Sequence, residues 1–399
     1  MKPTAGKKQI HQHNLFETNM HKKKILITGG AGFIGSNLSL YLLQNGYEVT
    51  VLDNLSEQIH GIDPEKNSSL YLSISDRVTF IKGTITDEED WKKAIGDNDV
   101  IVHLAAETGT GQSMYQIRKY TDVNINGTAI MLDILANNKT NVKKIVVASS
   151  RAIYGEGKYI SPEFGVVYPE HRLASHMSVG LFETTYPGTT KPLQLVATDE
   201  ESKIHPSSVY GITKYNQEQM VMTVCPTLGI SPVAFRYQNV YGPGQSLSNP
   251  YTGILSIFST LIKNNKGINI FEDGLESRDF VYIDDVVRAT FLGIDNAAAD
   301  GQVFNVGTGV PITVSEVAGQ LLQNYQVQVP VQVTGNFRLG DIRHNFADIT
   351  KIENLLAFKP EFDFKRGLLR FTDWVNSQEI KATRYEESVE EMKSKGLMK

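Results

Sequence analysis

Apolar residues in the first third of the chain alternate between short continuous runs and longer segments with helical spacing. KKILITGG is one such run, and it precedes AGFIGSNLSLYLLQNG, in which Ile34, Leu38 and Leu42 recur every four residues. The apolar run YEVTVLD comes next. Continuous apolar runs predict buried strands, and four-residue spacing predicts a helix with one apolar face. The pattern therefore predicts a strand, a glycine turn, a helix and a second strand.

The alternation continues toward the middle of the chain. Apolar runs recur in RVTFIKG, VIVHLAA, KKIVVASS and VAFRYQNVYGPG, and helical segments recur in TDEEDWKKAI and YTDVNINGTAIMLDILANN. In TDEEDWKKAI, Thr86 and Glu89 have the spacing of a capping box, which predicts where that helix begins. Apolar strands that alternate with helices are typical of a parallel sheet covered on both faces. The predicted fold class is α/β, with a doubly wound parallel sheet.

We predict the boundaries between domains from changes in this alternating pattern. Residues 1–21 are polar and aperiodic, so we predict a disordered leader. The sheet domain is predicted at 22–240, with an insertion at about 156–206 where the alternation is interrupted. After residue 240 glycines, prolines and short mixed elements increase. We therefore predict a smaller mixed α/β substrate lobe at 241–380 and a C-terminal tail at 381–399.

The amino-acid composition limits the classes of binding partner and the cellular compartment that we expect. The net charge of −5 argues against nucleic acid and anionic membrane surfaces as partners. Cys225 is the single cysteine of the 399 residues, so the chain has no internal disulfide and no cysteine cluster for a metal. This fits a reducing, cytoplasmic compartment, and no metal site is predicted. No apolar run approaches the ~20 residues that a membrane-spanning helix needs.

A glycine-rich turn indicates a dinucleotide site. TGGAGFIGS places Gly29, Gly32 and Gly35 between the first strand and its helix. Glycines there let the chain turn sharply and let backbone N–H groups approach a pyrophosphate at the helix N-terminus. Asp53 ends the second strand about 20 residues later, where a carboxylate accepts hydrogen bonds from ribose hydroxyls and repels a 2′-phosphate. The sequence thus predicts a Rossmann-type site that prefers NAD to NADP.

Candidate catalytic residues lie in two later segments. Tyr210 and Lys214 are four residues apart in SVYGITKYNQE and so share one face of a helix. A phenol is a poor base unless cations such as Lys214 and an oxidised nicotinamide stabilise its phenolate. Ser150, beside Ser149 at the end of KKIVVASS, can hydrogen-bond the reacting hydroxyl. Spacing alone would favour ordinary surface residues, but the dinucleotide signature favours a catalytic group.

Further motifs follow the glycine turn and Asp53 in a fixed order: HLAA, NINGT, ASSRAIYG, YGITK, FRYQNVYGPG, SRDFVYIDD and RLGDIRHNFAD. Through these motifs the chain resembles the extended short-chain dehydrogenase/reductase family, in its nucleotide-sugar epimerase/dehydratase branch. The resemblance implies an NAD-dependent enzyme that acts on a nucleotide sugar. It also implies a homodimer formed through the helices that carry NINGT and Tyr210.

The resemblance implies a role for each matching residue. Ser150, Tyr210 and Lys214 fall on the catalytic positions. At the cofactor it places Gly29, Gly32, Phe33, Ile34, Gly35, Asp53, Asn54, Thr84, Ile85, Leu104, Ala105, Ala106, Ser149, Tyr210, Lys214, Tyr237 and Val240. At the substrate it places Glu107, Ser150, Arg151, Asn239, Arg278, Arg338 and Asp341. The guanidinium groups suit the oxygens of a diphosphate.

Departures from the family pattern refine the expected activity. The 4,6-dehydratases of this branch carry an Asp-Glu pair where this chain has Arg151 and Ala152, so we do not expect a dehydratase. The insertion lies near the expected sugar pocket and makes Tyr168, His171, Arg172 and His176 candidates for specificity.

The insertion and the string AAETGTGQSMYQI most resemble the dTDP-L-rhamnose 4-epimerases. This implies inversion at C4 of a dTDP-6-deoxyhexose through a transient 4-keto sugar, in polysaccharide biosynthesis. A UDP-hexose 4-epimerase or a CDP-sugar 2-epimerase is the nearest alternative. A nucleotide-sugar reductase or dehydrogenase, or a non-catalytic NAD-binding protein, also stays open, although the presence of both Tyr210 and Lys214 disfavours the last.

Overall fold

The structure is a computed structural model that describes residues 23–249, 251, 253–380 and 385–399. The predicted leader at 1–21 lies outside the described residues, as do the first four residues of the predicted tail. None of the helices in the described ranges is both long and apolar enough to cross a membrane.

The described residues form alternating strands and helices. The strands are β1 (Lys24–Thr28), β2 (Glu48–Asp53), β3 (Thr79–Lys82), β4 (Val100–His103), β5 (Lys144–Ser150), β6 (Tyr159–Ser161), β7 (Gly165–Val167), β8 (Gln194–Leu195), β9 (Ser231–Tyr237), β10 (Asn239–Tyr241), β11 (Ile268–Ile270), β12 (Ser277–Tyr282), β13 (Gln302–Val306), β14 (Pro311–Thr313), β15 (Val331–Val333) and β16 (His344–Asn345). The helices are α1 (Phe33–Gln44), α2 (Glu57–His60), α3 (Pro64–Asn67), α4 (Ser69–Leu72), α5 (Glu88–Ile95), α6 (Thr110–Ser113), α7 (Ile117–Tyr120), α8 (Gly127–Asn137), α9 (Ala174–Met177), α10 (Val209–Thr227), α11 (Ile254–Lys263), α12 (Ile283–Asp295), α13 (Val314–Tyr325), α14 (Thr350–Leu356), α15 (Phe364–Asn376) and α16 (Tyr385–Ser394).

Seven parallel strands form the central sheet, in the order β13-β9-β5-β4-β1-β2-β3. Successive residues of each strand point to opposite faces, and both faces are buried. Ile25 and Ile27 of β1 pack with α1 and α12 in one core, whereas Leu26 packs with α5, α8 and α10 in the other. Burial on both faces is why these strands read as continuous apolar runs. The predicted α/β class with a doubly wound parallel sheet is confirmed.

Two elements of the predicted substrate lobe return to the central sheet. β13 pairs with β9 at the sheet edge, and α12 packs against α1. The rest of the lobe contains a small sheet of β10, β12, β14 and β16, the pair β11 and β15, and helices α11 and α13. Residues on both sides of the predicted boundary at residue 240 therefore pack together around the central sheet.

One local prediction is wrong. The capping box expected from Thr86 and Glu89 is absent, because α5 begins one residue later and is capped by Asp87, whose carboxylate accepts a hydrogen bond from the Asp90 N–H. Thr86 instead pairs with Thr84 through their hydroxyl groups. The acidic run DEED offers several competing caps, which spacing alone cannot rank.

The insertion and the C-terminal residues are ordered parts of the fold. The insertion contains the antiparallel sheet β7-β6-β8 and helix α9. After α16 the chain runs antiparallel to residues 337–339. Phe337 and Lys399 exchange two backbone hydrogen bonds of 2.9 and 3.0 Å, and the Leu339 N–H donates to the Leu397 carbonyl. The segment predicted as a tail therefore supports the substrate lobe.

Candidate active site

A cavity of about 430 Å³ lies along the carboxyl edge of the central sheet. Every residue that the sequence placed at the cofactor lines this cavity, and so do Glu107 and Ser150. Carboxyl ends of parallel strands meet at one edge, so side chains far apart in sequence converge there. The remaining predicted substrate residues, Arg151, Asn239, Arg278, Arg338 and Asp341, are not part of this lining.

The glycine turn forms one wall of the cavity. Gly29 has a φ of +67°, which L side chains rarely adopt, and a Cβ there would lie 2.9 Å from the Ala105 backbone. Gly35 lies in the first turn of α1, where a Cβ would come within 2.6 Å of Gly30 Cα. Both positions therefore require glycine, and the close approach brings the N-terminus of α1 to the cavity.

Asp53 is held at the end of β2 by the backbone. Its carboxylate accepts hydrogen bonds from the Ala31 N–H at 3.0 Å and the Leu55 N–H at 2.8 Å. Burial raises the pKa of Asp53, and the hydrogen bond from Leu55 partly opposes this effect. Nε2 of His60 lies 3.8 Å from the carboxylate, and Nδ1 of the same ring contacts the Ser68 hydroxyl at 2.8 Å.

Tyr210 and Lys214 occupy the first two turns of α10, whose N-terminus is capped by Ser208. The Tyr210 hydroxyl is hydrogen-bonded to Ser150 at the end of β5. The Lys214 ammonium donates to the Gln217 side-chain oxygen at 2.6 Å. The structure thus brings the three predicted catalytic residues to one end of the cavity.

Burial is the largest influence on the pKa values of this group. Burial raises the pKa of Tyr210, and the groups that oppose this are the Ser150 hydroxyl and the Arg151 guanidinium. Burial also lowers the pKa of Lys214 to about 7. The Lys214 ammonium donates to Gln217, and its stabilisation of the Tyr210 phenolate stays a prediction.

Ser149 faces the opposite side of the sheet from Ser150. Its hydroxyl donates to the Glu218 carboxylate at 2.6 Å, and the Arg236 guanidinium binds both oxygens of that carboxylate. Alternation along β5 explains the difference, because neighbouring residues of a strand point to opposite faces. Of the two serines, Ser150 is the one that reaches Tyr210.

The predicted substrate residues form a charged cluster beyond the Ser150 end of the cavity. Burial alone would raise the pKa of Asp341, but Arg338, Arg278, Arg172 and Arg151 together lower it. Four guanidinium groups therefore surround one carboxylate, and Arg278 lies 3.9 Å from it. Arg172 is also paired with Glu272, so the guanidinium groups of Arg278 and Arg338 are the ones that suit an anion such as a diphosphate.

Arg338 is held by aromatic neighbours. Its guanidinium carbon lies 4.9 Å from the centre of the Phe271 ring, and Tyr385 of α16 hydrogen-bonds its side chain. The Nε atom of Arg338 is buried and has no hydrogen-bond partner in the described part of the chain. A buried N–H donor without an acceptor suits a ligand that supplies the acceptor atom.

The insertion contributes to this cluster through a salt bridge. Arg172 donates to both oxygens of the Glu272 carboxylate at 2.7 and 2.8 Å, and its Nε lies 3.3 Å from Glu156. Arg343, fully buried, also binds Glu272. Arg172 thus links the insertion to the substrate lobe through a salt bridge. This structural role differs from the contact with the sugar that the sequence suggested. His171 and His176 are not among the residues that line the cavity.

Sequence reasoning missed several cavity residues, which lie in loops or in short elements with no signal of their own. These residues are His60, Gln238, Gln245, Asn249 and Tyr251. Gln238 follows Tyr237, the β-partner of Ser150, and both polar atoms of its buried amide lack a hydrogen-bond partner among the described residues. The one sequence feature that could have identified Gln238 as a cavity residue is its position next to Tyr237 in FRYQN.

Comparison with known proteins adds a family and several relatives. The model of a family described as the NAD dependent epimerase/dehydratase family matches residues 25–176 and 181–307. A dTDP-L-rhamnose 4-epimerase from Burkholderia thailandensis is 35% identical, over 90% of this chain and 96% of that protein.

Solved structures show the same fold. A UDP-glucose 4-epimerase from Thermotoga maritima, solved with UDP-glucose, has a TM-score of 0.70 at 29% identity and covers 88% of this chain and 98% of its own. A UDP-glucuronic acid 4-epimerase from Bacillus cereus, solved with UDP-glucuronic acid and NAD, has a TM-score of 0.71 at 26% identity and covers 88% and 99%.

Proposed function

This chain belongs to the NAD-dependent epimerase/dehydratase family, and from that premise we propose that it is an NAD-dependent nucleotide-sugar epimerase. The family that the motifs predicted is confirmed, and so is NAD as its cofactor. The observation that carries the proposal is that Tyr210, Ser150 and Lys214 line the same cavity as the glycine turn and Asp53. A base and a dinucleotide site in one cavity suit reversible oxidation of an alcohol.

The residues of the cavity fit NAD. The glycine turn leaves its backbone free to approach a pyrophosphate at the N-terminus of α1, and Asp53 can accept hydrogen bonds from a ribose. Gln238 follows Tyr237, the β-partner of Ser150, and its amide, which has no hydrogen-bond partner among the described residues, belongs to the same cavity. When bound, NAD would take a hydride from the sugar and return it. Lys214, released from Gln217, would bind the ribose next to the nicotinamide.

Tyr210 is the proposed base. As a phenolate it takes the proton of the sugar C4 hydroxyl, and it returns that proton when the 4-keto sugar is reduced from its other face. Ser150 hydrogen-bonds the same hydroxyl and keeps it next to the phenol. Each proton that leaves the sugar comes back, so the net change is inversion of one carbon.

The charged cluster is proposed to bind the nucleotide diphosphate. Arg278 and Arg338 supply positive charge, Asn239 supplies an amide, and Asp341 orients the guanidinium groups around it. With the nucleotide fixed, the sugar can rotate about its diphosphate link and present either face to the cofactor. Glu107 lines the cavity and is paired with Lys119 at 2.9 Å, and it is proposed to contact the sugar.

For the substrate we propose a dTDP-6-deoxyhexose that is inverted at C4, which would place the enzyme in polysaccharide biosynthesis. The relative with 35% identity, a dTDP-L-rhamnose 4-epimerase, supports this choice. A UDP-hexose 4-epimerase is the second candidate, supported by a putative UDP-glucose 4-epimerase from Methanocaldococcus jannaschii that is 30% identical over 88% of this chain and 98% of that protein.

Incubation with dTDP-, UDP-, CDP- and GDP-sugars, followed by proton NMR, tests both substrates. Inversion of a coupling at C4 without net formation of NADH is the expected result, because the hydride is returned in every turnover. A steady change in NADH absorbance would indicate a reductase or dehydrogenase instead. Inversion of UDP-hexoses but not of dTDP-sugars would favour the second candidate.

We also propose a homodimer and a cytoplasmic location. Ile212 of α10 and Ile117 of α7, which continues through the turn Thr121–Asn126 into α8, are large apolar residues that are about half exposed. The family resemblance implies a dimer contact through α10 and the helical segment that carries NINGT. Light scattering of the purified protein should give twice the chain mass of 44.4 kDa, and Ile212→Lys should shift it toward the monomer. A monomeric wild-type protein would contradict the proposal.

A further inference from the structure

The loop 338–343 forms much of the proposed diphosphate site. It contains two of the predicted substrate residues, and its backbone holds a third, Arg278. Nη1 of Arg278 donates to the carbonyls of Ser277 at 2.8 Å and Arg343 at 2.9 Å. Nη2 donates to the Ile342 carbonyl at 2.7 Å. Three of the five N–H groups of this guanidinium are used in this way, so the loop sets its orientation.

The insertion holds the same loop at three points. Nη2 of Arg172 donates to the Asp341 carbonyl at 2.9 Å. The Glu156 carboxylate accepts a hydrogen bond from the Arg343 N–H at 2.7 Å. The Glu183 carboxylate accepts two hydrogen bonds from the Arg343 guanidinium, at 2.8 and 2.6 Å. Three separate residues of the insertion therefore bind the backbone or side chains of residues 341–343.

Arg172 is committed to these contacts within the protein. Besides the Asp341 carbonyl, its guanidinium donates to the Phe182 carbonyl at 3.1 Å and to both oxygens of Glu272. Four of its five N–H groups are thus occupied, and its Nε lies 3.3 Å from a Glu156 oxygen. The side chain is only 4% exposed. A diphosphate would have to displace these partners before Arg172 could bind it directly.

The ion pairs around Arg172 fix geometry more than they stabilise the fold. Glu272 bridges two buried arginines, since it binds Arg172 and also accepts from Nη1 of Arg343 at 3.0 Å. Buried ion pairs add little net stability, because the loss of hydration offsets the attraction between the charges. Paired hydrogen bonds between a guanidinium and a carboxylate nevertheless have strict geometry. The network therefore holds the loop 338–343 in one position relative to the insertion.

We propose that the insertion is the positioning element of the diphosphate site and that Arg172 is its central residue. By holding the Asp341 carbonyl and Glu272, Arg172 keeps the loop 338–343 where its carbonyls orient Arg278 toward the nucleotide. Arg172 acts through Arg278 without touching the ligand, so it is a positioning residue. The proposal rests on the proposed function, which assigns the diphosphate to Arg278 and Arg338.

Binding of a nucleoside diphosphate without its sugar tests this role. Isothermal titration calorimetry of the holoenzyme with dTDP and with UDP gives Kd for the wild type and for Arg172→Met. We expect Kd to rise about tenfold or more, the effect of misplacing one charge-assisted hydrogen bond. For a sugar that the wild type inverts, the change should appear in KM rather than in kcat. Arg172→Lys keeps the charge but cannot bridge two acceptors as a guanidinium does, so it should restore only part of the affinity.

A double-mutant cycle with Arg278→Met distinguishes positioning from a general loss of structure. Because Arg172 acts through Arg278, the variant with both changes should bind the nucleoside diphosphate no more weakly than Arg278→Met alone. Losses that multiply in the double variant would show that Arg172 acts independently of Arg278, which would overturn the proposal.

Lys203→Met is the matched control, because Lys203 pairs with Glu170 inside the insertion and its replacement also removes one positive charge. It should leave Kd unchanged. If Arg172→Met does not fold, Glu183→Gln replaces it, since the Glu183 side chain is 65% exposed and the amide keeps one acceptor for Arg343. Its Kd should rise by a smaller factor. An unchanged Kd in folded Arg172→Met, or in Glu183→Gln where that variant is used, overturns the proposal.

The same titrations separate this proposal from the proposed function. A wild type that binds dTDP or UDP but inverts no sugar contradicts the proposed epimerase, and the variants still decide the role of Arg172. A wild type that binds neither nucleoside diphosphate contradicts the assignment of the diphosphate to this cluster, and the role of Arg172 is overturned with it.

Discussion

The two halves of the candidate active site are built in different ways. The cofactor half relies on backbone geometry: Gly29 and Gly35 allow close approach, and backbone N–H groups hold Asp53. The substrate half relies on charged side chains from distant segments, such as Arg278 and Arg338, around Asp341. A site made from one continuous turn needs only local geometry, whereas a cluster of charges needs the packing of the whole lobe to hold it.

Tyr210→Phe removes one hydroxyl where the two halves meet and should have the largest effect. We expect kcat to fall about 10²–10⁴-fold, the usual contribution of a positioned base, with the cofactor still bound. The measurements are the NMR inversion assay and the NAD released from denatured protein. Tyr215→Phe on the same helix is the control and should keep wild-type activity. Wild-type turnover in Tyr210→Phe would refute Tyr210 as the base.

Gly35→Ala tests the cofactor half alone. Its Cβ would meet Gly30 backbone atoms, so the glycine turn must shift. We expect loss of copurifying NAD and a decrease in the free energy of unfolding of about 1–3 kcal/mol, as for other overpacked sites.

Gly319→Ala is the matched control for that experiment, because Gly319 also lies in a helix, α13, but has no atom within 4 Å of an added Cβ. Thermal unfolding should show a gain of up to about 1 kcal/mol for it, from helix propensity. Retention of NAD by Gly35→Ala at the wild-type level would break the assignment of the turn to the cofactor.

Arg338→Met tests the substrate half alone. Loss of one charge-assisted hydrogen bond, about 1.5–3 kcal/mol, should raise KM for the nucleotide sugar roughly 10–100-fold. Bound NAD should not change, since Arg338 is outside the cavity lining. Steady-state kinetics and the NAD content check both expectations. Loss of NAD together with the rise in KM would show that the two halves are coupled.

Lys214→Met gives the smallest predicted effect, a pH dependence of stability. Burial lowers the pKa of Lys214 from its ordinary value of 10.5 to about 7, so between these values the unfolded chain binds more protons than the folded one. The free energy of unfolding of the wild type should therefore rise with pH across this window, relative to Lys214→Met, by at most about 1.4 kcal/mol per unit. Urea titrations at pH 7, 8 and 9, on protein stripped of NAD, measure the difference. An equal dependence of the free energy of unfolding on pH in both proteins would contradict the lowered pKa of Lys214.

Much of the cofactor half could be predicted from the sequence. Continuous apolar strands, the glycine spacing and Asp53 depend on local physics, and every residue placed at the cofactor lines one cavity. That these residues bind NAD in the assigned way stays a prediction, as do the contacts of Arg278 and Arg338 with the substrate.

The rest depends on contacts between distant segments. The sequence could not show that Arg172 binds Glu272 or that Arg151 donates to Asn239. Each of these follows from the angle at which a helix or the insertion packs on the sheet, and apolar spacing does not encode that angle.

The antiparallel contact between residues 337–339 and the end of the chain has a consequence for protein synthesis. Phe337 and Leu339, which flank Arg338, bond to Lys399 and Leu397. The ribosome adds residues 397–399 after all other described ones, and domains fold as units during synthesis, N-terminal parts first. The nascent chain can therefore complete its glycine turn and take up dinucleotide before Arg338 is secured, so a ribosome-bound intermediate should hold cofactor but bind nucleotide sugar weakly.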